Sequence, residues 1–539
     1  MLQIIPKKEF DRIKLLSISK FKKLSLLADM CRLNTLVAVK KAGSGHLGSS
    51  FSAMDIVIYL YHEKMNTLKV GFDSPDRDIY FSSKGHDVPG LYSLLYSLGI
   101  LPIEKLLKLR RLYGLDGHPE ISIPGIEASS GSLGMGISKG RGMAWAKRYS
   151  KNKGQVYVLV GDGELQEGQI FEALQTTLQQ GISNLTVIVD HNKYQTDKNI
   201  NEIISLGNLE DKFNSFGWYV DRFDGHKYED LERVFSNSDQ EKHLPKILIA
   251  DTIKGKGISF MEPDGNDKIY QWHSGAPDEA SFKKGFDELF SKINKASHEW
   301  NIQPIELNNI QEDGKIKSNV SKEYIAEAFG EELVKIAGER DDIIVLDGDL
   351  SADCKIREFE NKFPTRFIEN GIAEQDMVSM AGGLATQGLI PVVNSFASFL
   401  AARPNEQIYN NATEGNKIIY ACHFAGIIPA GPGKSHQSVR DVALFSTLPN
   451  ATIIQPCNSF EVKKALRYFI KEEKGVCVLR MNIGPSPKII KLPEKYSLEK
   501  GIGTIIADGN DGCIVSYGPV MLNEALLARK ILLDYNIEI

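Results

Sequence analysis

An apolar run at residues 156–160 breaks at Gly161-Asp162-Gly163, and apolar positions then return at Ile170, Ala173, Leu174 and Leu178. The run predicts a buried parallel strand. The spaced positions predict a helix, closed at Gly181, with a second strand over residues 185–189. A right-handed crossover would set Asp162 and Asn192 side by side at the carboxyl edge of the sheet. Upstream, residues up to about 39 read as a charged amphipathic lead-in with Leu24, Leu27, Cys31 and Leu36 among its apolar positions. Residues 41–50 are too rich in Gly and Ser to read as a helix, and predict a loop ending in N-cap residues before a helix from about residue 54. A second glycine-rich turn is expected over residues 131–136. Downstream, ILIADTIKGKGISFM reads as strand and turn. The pattern then degrades from about residue 286 into a polar stretch taken as a linker over 291–321. A second α/β unit opens with a helix over 322–337, a strand over 342–346 and the turn 347–350. A third starts with a strand over 513–516 and a helix from about residue 521.

The fold class expected is α/β, with two doubly wound parallel-sheet domains and the start of a third α/β domain. The boundaries expected are 1–290, linker 291–321, 322–490 and 491–539. One strand and one helix do not complete a domain, so the third is expected to be cut short or covered by a partner. Length supports two or three domains. A hydrophobic content of 42% and a charged content of 25% are those of a soluble globular protein. With 64 basic and 69 acidic residues and a formal charge of −5, the balance points to neither nucleic acid nor a membrane surface as partner. Six cysteines without C-x-x-C spacing read as thiols of a reducing compartment. The amino-terminal segment lacks an apolar core and a cleavage site, so a cytoplasmic location is expected.

The chemistry-bearing residues cluster in the loops. Asp162, Asn192 and a carbonyl near Tyr194 are hard oxygen donors that suit Mg²⁺ (or Ca²⁺), with octahedral positions left for water and phosphate oxygens. His46, His86, His118 and His273 sit in separate loops flanked by Gly or Ser. Imidazoles converging from such loops suit proton movement among hydroxyl and carbonyl groups. Glu374 starts an apolar, small-residue helix, whose positive end would stabilise a carboxylate.

GDG followed by EG, an EA-containing helix, NL, a strand and D-x-N resembles the thiamine-diphosphate signature of the transketolase family. SGHLGSS, SKGH, GHPE and WHSGAP are similar to that family's histidine motifs in kind, order and approximate spacing. GIAEQD resembles the segment whose glutamate activates thiamine. The resemblance covers nearly the whole chain and implies two thiamine-diphosphate-binding domains. It places the metal on Asp162, Asn192 and the Tyr194 carbonyl, and cofactor contacts at His86, Gly131, Leu133, Gly163 and His273. Phe396 and Phe399 become an aromatic wall against the aminopyrimidine. Glu374 shares a proton with the pyrimidine, with Glu167 as its neighbour across an interface. His118 and His436 position donor oxygens, while His46 and His273 assist proton movement. Arg357, Arg480 and His423 face the substrate, the arginines gripping its phosphate.

The activity implied is transfer of a two-carbon ketol unit from a ketose phosphate to an aldose acceptor in carbohydrate metabolism, with the cofactor as electron sink. A homodimer with two interfacial sites is implied too. The alternatives are a decarboxylating ligation like that of 1-deoxyxylulose-5-phosphate synthase, and a non-catalytic assembly protein of the same fold. GHPE and WHSGAP fit the first alternative less well, and Asp162, Asn192 and Glu374 have no purpose in the second. One loop departs from the family. Where G-E-D-G is usual, this chain reads Ala430-Gly-Pro-Gly-Lys-Ser-His436, losing a carboxylate that contacts a donor hydroxyl and gaining Lys434. That change predicts an altered, acidic sugar substrate.

Overall fold

The computed structural model describes residues 2–265, 269–310, 321–428 and 431–539. Its strands are β1 (Leu2–Ile4), β2 (Ile79–Ser82), β3 (Val156–Gly161), β4 (Leu185–His191), β5 (Tyr219–Asp224), β6 (Lys246–Asp251), β7 (Asn308–Ile310), β8 (Ile343–Asp347), β9 (Phe367–Glu369), β10 (Ile390–Phe396), β11 (Ile418–His423), β12 (Thr452–Ile454) and β13 (Val476–Arg480). They fall into two units. One comprises Met1–Gly314 with Gly431–Ser435, the other Lys315–Ala430 with His436–Ile539.

The first unit is built on a parallel sheet in the order β2-β3-β4-β6-β5. β3 is buried along its whole length, which is why its sequence is a continuous apolar run rather than an alternating one. Successive side chains nevertheless go to opposite faces. Val156, Val158 and Val160 join one apolar cluster, whereas Tyr157 and Leu159 join another with the buried half of the helix Lys20–Ala42. The crossover helix Gly168–Gln179 buries Ile170, Ala173 and Leu174. Gly181 follows at φ 59, its N–H bonded to the Leu178 carbonyl. β3 and β4 then pair from Val156↔Leu185 to Gly161↔Asp190.

Two expectations for this unit are corrected. Within residues 41–50, the helix Lys20–Ala42 reaches Ala42, and Leu47–Ser52 forms a buried α-helix, leaving only residues 43–46 as a loop. Burial overrides the weak helix propensity of Gly and Ser here. Gly48 donates to the Trp272 carbonyl at 3.0 Å, and a Cβ on it would lie 2.8 Å from the Tyr270 hydroxyl, so a small residue is what lets the helix seat. The stretch 291–321 is not simply a linker either. The helix Glu279–Glu299 packs Leu289 and Ile293 into the core, and β7 pairs antiparallel with β1. Residues 311–320 lie outside the described residues.

The second unit has a parallel sheet in the order β12-β13-β11-β10-β8-β9, with an apolar cluster on each face. Its first helix, Ile325–Glu339, and β8 fall within a few residues of expectation. The strand expected at residues 513–516 does not form. Val515 there is 93% exposed, and an extended segment without a neighbouring strand has no partner for its backbone groups. The helix expected after it is present as Pro519–Leu533. The cysteines are free, all but Cys513 buried. Among the described residues no helix is long and apolar enough to cross a membrane.

Candidate active site

In the first unit the four loop histidines converge. His46 lies 5.5 Å from His86, 5.8 Å from His118 and 5.2 Å from His273, ring centre to ring centre, and His86 lies 5.3 Å from His273. Burial pulls His118 down to about 4, against its bond to the Pro432 carbonyl and helped by the Arg110 charge. Burial also holds His86 and His273 well below the ordinary imidazole value, with neighbouring cationic groups adding to it. These three therefore work as neutral imidazoles near pH 7, and hydrogen bonds assign tautomers within the cluster. His118 donates from Nδ1 to the Pro432 carbonyl at 2.6 Å, so its Nε2 is an acceptor. His46 and His273 accept at Nδ1 from Arg110 and Lys254, at 3.2 and 3.1 Å, so each carries its proton on Nε2. His86 Nε2 meets the Ser49 hydroxyl at 2.8 Å. Donors and an acceptor in one cluster can orient hydroxyl and carbonyl oxygens together.

The carboxyl edge of the same sheet carries the expected oxygen donors. Asp162 is buried, accepting the Gly163 amide at 2.8 Å and the Lys193 amide at 2.6 Å. Burial raises its carboxyl, only partly offset by His191 and by these amides; a carboxylate in that state gains from a cation. The Asn192 amide oxygen accepts the Tyr194 amide at 3.1 Å, and the Tyr194 carbonyl accepts Lys254 at 3.1 Å. No group of three or more His, Cys, Asp or Glu suited to a metal occurs among the described residues. Asp162, Asn192 and the Tyr194 carbonyl offer instead carboxylate, amide and carbonyl oxygens, donors of the kind a hard ion takes. A Cβ on Gly163 would lie 2.8 Å from the Gln195 side chain, so the packing of Gln195 favours glycine here.

The second glycine-rich turn joins this site. Gly131 has φ 118, and a Cβ there would collide with the Ser435 hydroxyl and the His118 ring. At Gly134, φ 85, it would strike Glu167. Leu133 between them is half-buried. A cavity of about 300 Å³ opens beside the turn, lined by Ser129, Ser130, Ser132, Glu120, Lys139, Lys434 and Ser435 among others. Lys434 is mostly exposed and pairs with Glu120 at 3.2 Å.

Three cations here were not expected from the sequence. Lys84, fully buried, pairs with Asp190 and donates to the Ser49 carbonyl at 3.2 Å. Lys254, fully buried, donates to the Tyr194 and Gln195 carbonyls and lies 5.0 Å from the Tyr270 ring. Arg110 reaches Ser44 at 3.2 Å as well as His46; burial pulls it down to about 10. Lysines in glycine-rich loops read as solvated. The signal is that Lys84 and Lys254 each follow an apolar strand within a few residues.

In the second unit, Glu374 starts the helix Glu374–Thr386 and is 4% exposed. Both its oxygens accept from Arg403 Nη1, at 2.7 and 2.9 Å. Phe396, Phe399 and His436 form one aromatic group, with ring centres 5.0 to 5.7 Å apart, and Arg403 lies 4.7 Å from the Phe399 ring centre. Arg357 pairs with Glu360 at 2.7 Å. Arg480 ends β13 and is clamped by Asp441 at 2.7 and 3.2 Å and by Gln455. His423, on the neighbouring strand, is buried against Phe329, with no hydrogen bond at either ring nitrogen from the described residues, and burial pulls it down to about 3.

A family model described as "Transketolase, thiamine diphosphate binding domain" matches residues 24–342, and one described as "Transketolase, pyrimidine binding domain" matches residues 322–484. The chain is 30% identical to a transketolase of Homo sapiens over 96% of this chain and 83% of that one. It is 31% identical to transketolase-like protein 2 of Bos taurus over 95% and 82%. It is also 36% identical to one of the subunits of the apulose-4-phosphate transketolase of Phocaeicola vulgatus, over 52% of this chain and 98% of that one. With both models matched in order and such identity sustained along the chain, this protein belongs to the transketolase family.

Proposed function

We propose that this chain is a thiamine-diphosphate- and Mg²⁺-dependent transferase that moves a two-carbon ketol unit from a ketose phosphate to an aldose acceptor. The observation that carries the reading is the packing of four imidazoles from separate loops in the unit that also buries Asp162. When bound, thiamine diphosphate supplies the electron sink that cleavage of a carbon–carbon bond requires. Asp162, Asn192 and the Tyr194 carbonyl would hold the metal, while His86, His273, Lys254 and the 131–134 turn receive the diphosphate. His118 accepts a donor hydroxyl proton at Nε2; His46 and His273 donate to carbonyl oxygen from theirs. Glu374 holds a proton for the pyrimidine, with Glu167 as its partner in a homodimer and Phe396 and His436 alongside. Arg357, paired with Glu360, and Arg480, held by Asp441 and Gln455, would each trade part of those contacts for the substrate phosphate. Free cysteines fit a reducing, cytoplasmic setting.

The test is a calorimetric titration of thiamine diphosphate with and without Mg²⁺, followed by a donor-acceptor panel read by product mass that includes xylulose 5-phosphate and apulose 4-phosphate. Metal-dependent binding and a two-carbon mass shift are expected. Absence of cofactor binding in the presence of Mg²⁺ overturns the reading.

A further inference from the structure

We infer that Arg403 is a positioning residue for Glu374, fixing the plane of its carboxyl group, and that Phe399 serves to seat Arg403. The inference rests on the function proposed above, in which Glu374 exchanges a proton with the pyrimidine. Nη1 of Arg403 lies 2.7 and 2.9 Å from the two oxygens of Glu374, and the side chains are only 9% and 5% exposed. A single nitrogen placed almost evenly between two carboxylate oxygens takes one lone pair of each and stops rotation of the group about its last bond. Each oxygen keeps a second lone pair directed away from the arginine, and that is the side on which a ring nitrogen can be met. A glutamate at the first position of a helix has three side-chain torsions to settle, so the arginine supplies the orientation that the helix start does not.

Arg403 is itself held. It follows the helix Ala397–Ala402. Its guanidinium lies 4.7 Å from the ring centre of Phe399, within the range of a cation–π contact, and its carbonyl accepts from Gln375, the residue next to Glu374, at 3.4 Å. His436 meets Phe399 edge-on at 5.0 Å, with an interplanar angle of 70°. Phe399 is thus shared between the arginine and the histidine. Phe396, against Phe424 at 4.3 Å and buried, is the other aromatic residue of the expected wall.

The experiment compares wild type, Arg403→Met, Glu374→Gln and the double variant, each loaded with thiamine diphosphate and Mg²⁺. Two quantities are read: the cofactor Kd by calorimetry, and hydrogen–deuterium exchange at C2 of the bound cofactor by quenched-flow NMR. Arg403→Met is expected to slow exchange about 10- to 100-fold, the usual loss when an orienting partner is removed, while Kd changes no more than about threefold. Glu374→Gln is expected to slow it about 10²- to 10⁴-fold, and the double variant should be no slower than Glu374→Gln. Arg403→Lys, which keeps a donor but not the planar fork, should recover part of the loss, and it serves as the test if the methionine variant does not fold. A wild-type exchange rate in Arg403→Met, or a loss that adds in full to that of Glu374→Gln, overturns the inference. A wild-type rate in Glu374→Gln overturns the functional reading instead, and the role of Arg403 with it.

Discussion

Replacing Lys84 by Met should unsettle the first unit more than any surface change, because it removes the ammonium from a buried pair and leaves the carboxylate behind. Asp190 is fully buried at the end of β4. It accepts from Ser52 at 2.7 Å and from Thr252, and pairs with Lys84. Asp87 lies 3.8 Å from the same ammonium. Burial alone would raise Asp190, yet Lys84 and the hydroxyls hold it below the ordinary carboxylate value. Stranding one partner of such a pair costs about 3–5 kcal/mol, equivalent to an opening equilibrium shifted by about 10²- to 10⁴-fold at 1.36 kcal/mol per decade. A chain with two units need not unfold in one step, so the assay is amide hydrogen exchange by mass spectrometry over β3 and β4. Lys84→Met should lose that much protection there. Lys84→Met/Asp190→Asn should regain a substantial part, since an uncharged amide replaces the stranded carboxylate. The pH dependence should invert. In wild type the contribution of Asp190 is present above its unfolded-state value and is lost as pH falls through the lower folded value. In Lys84→Met burial raises Asp190, so lowering pH from 8 to 5 recovers protection. Unchanged protection in the single variant, or a double variant worse than the single, would refute the reasoning.

Asp162→Ala should abolish Mg²⁺-dependent binding of thiamine diphosphate, and Asp162→Asn, which keeps an acceptor for the Gly163 and Lys193 amides, should weaken it with a smaller change in thermal midpoint; unchanged cofactor affinity by calorimetry removes Asp162 from the metal site. The folded-state pKa of His118 lies at about 4, below its unfolded-state value near 6.5, so the unfolded chain takes up protons first. Stability of the first unit should fall between pH 6.5 and 4, by an amount on the order of 1–3 kcal/mol from this residue, and His118→Asn should flatten that part of a melting-versus-pH curve. Pro432→Asp/Lys434→Pro should raise kcat/KM for xylulose 5-phosphate by roughly 2- to 10-fold, the value of one regained hydrogen bond; a wild type already efficient with that donor, and worsened by the change, shows that the loop leaves specificity alone.

The βαβ unit around Asp162 is legible because a buried parallel strand is an unbroken apolar run and its crossover helix keeps a helical spacing. The short length of the run and the glycines that bound it decide for a strand where periodicity alone does not. The loop histidines are legible by their flanking glycines, and the structure brings His46, His86, His118 and His273 to within 6 Å of a neighbour as their chemistry requires. What composition conceals is tertiary. Leu47–Ser52 is helical because its small residues are packed from every side. Lys84, Lys254 and Arg110 are buried because the fold supplies carbonyls, Asp190 or His46 at their tips, and those partners come from distant parts of the chain. Arg403 sits next to a proline in a stretch that reads as ordinary helix end, and its partner lies 29 residues earlier. The strand expected at 513–516 rests on local pattern alone, and local pattern does not supply a neighbouring strand.

The pairing of Leu2 with Ile310 and of Ile4 with Asn308 sets a timetable. During synthesis β1 waits for β7 to emerge, and at about 5–20 residues per second the delay is on the order of 15–60 s. Over that interval the apolar side chains of Leu2, Ile4 and Ile5, all buried at the end, have no strand to close against, although Asn34 can already take the Ile5 backbone through its side chain. The closing of this small sheet is therefore a late event for residues made well before their partners. An amino-terminal fusion that hinders it should leave the parallel sheet formed, but the helix Glu279–Glu299 less firmly held.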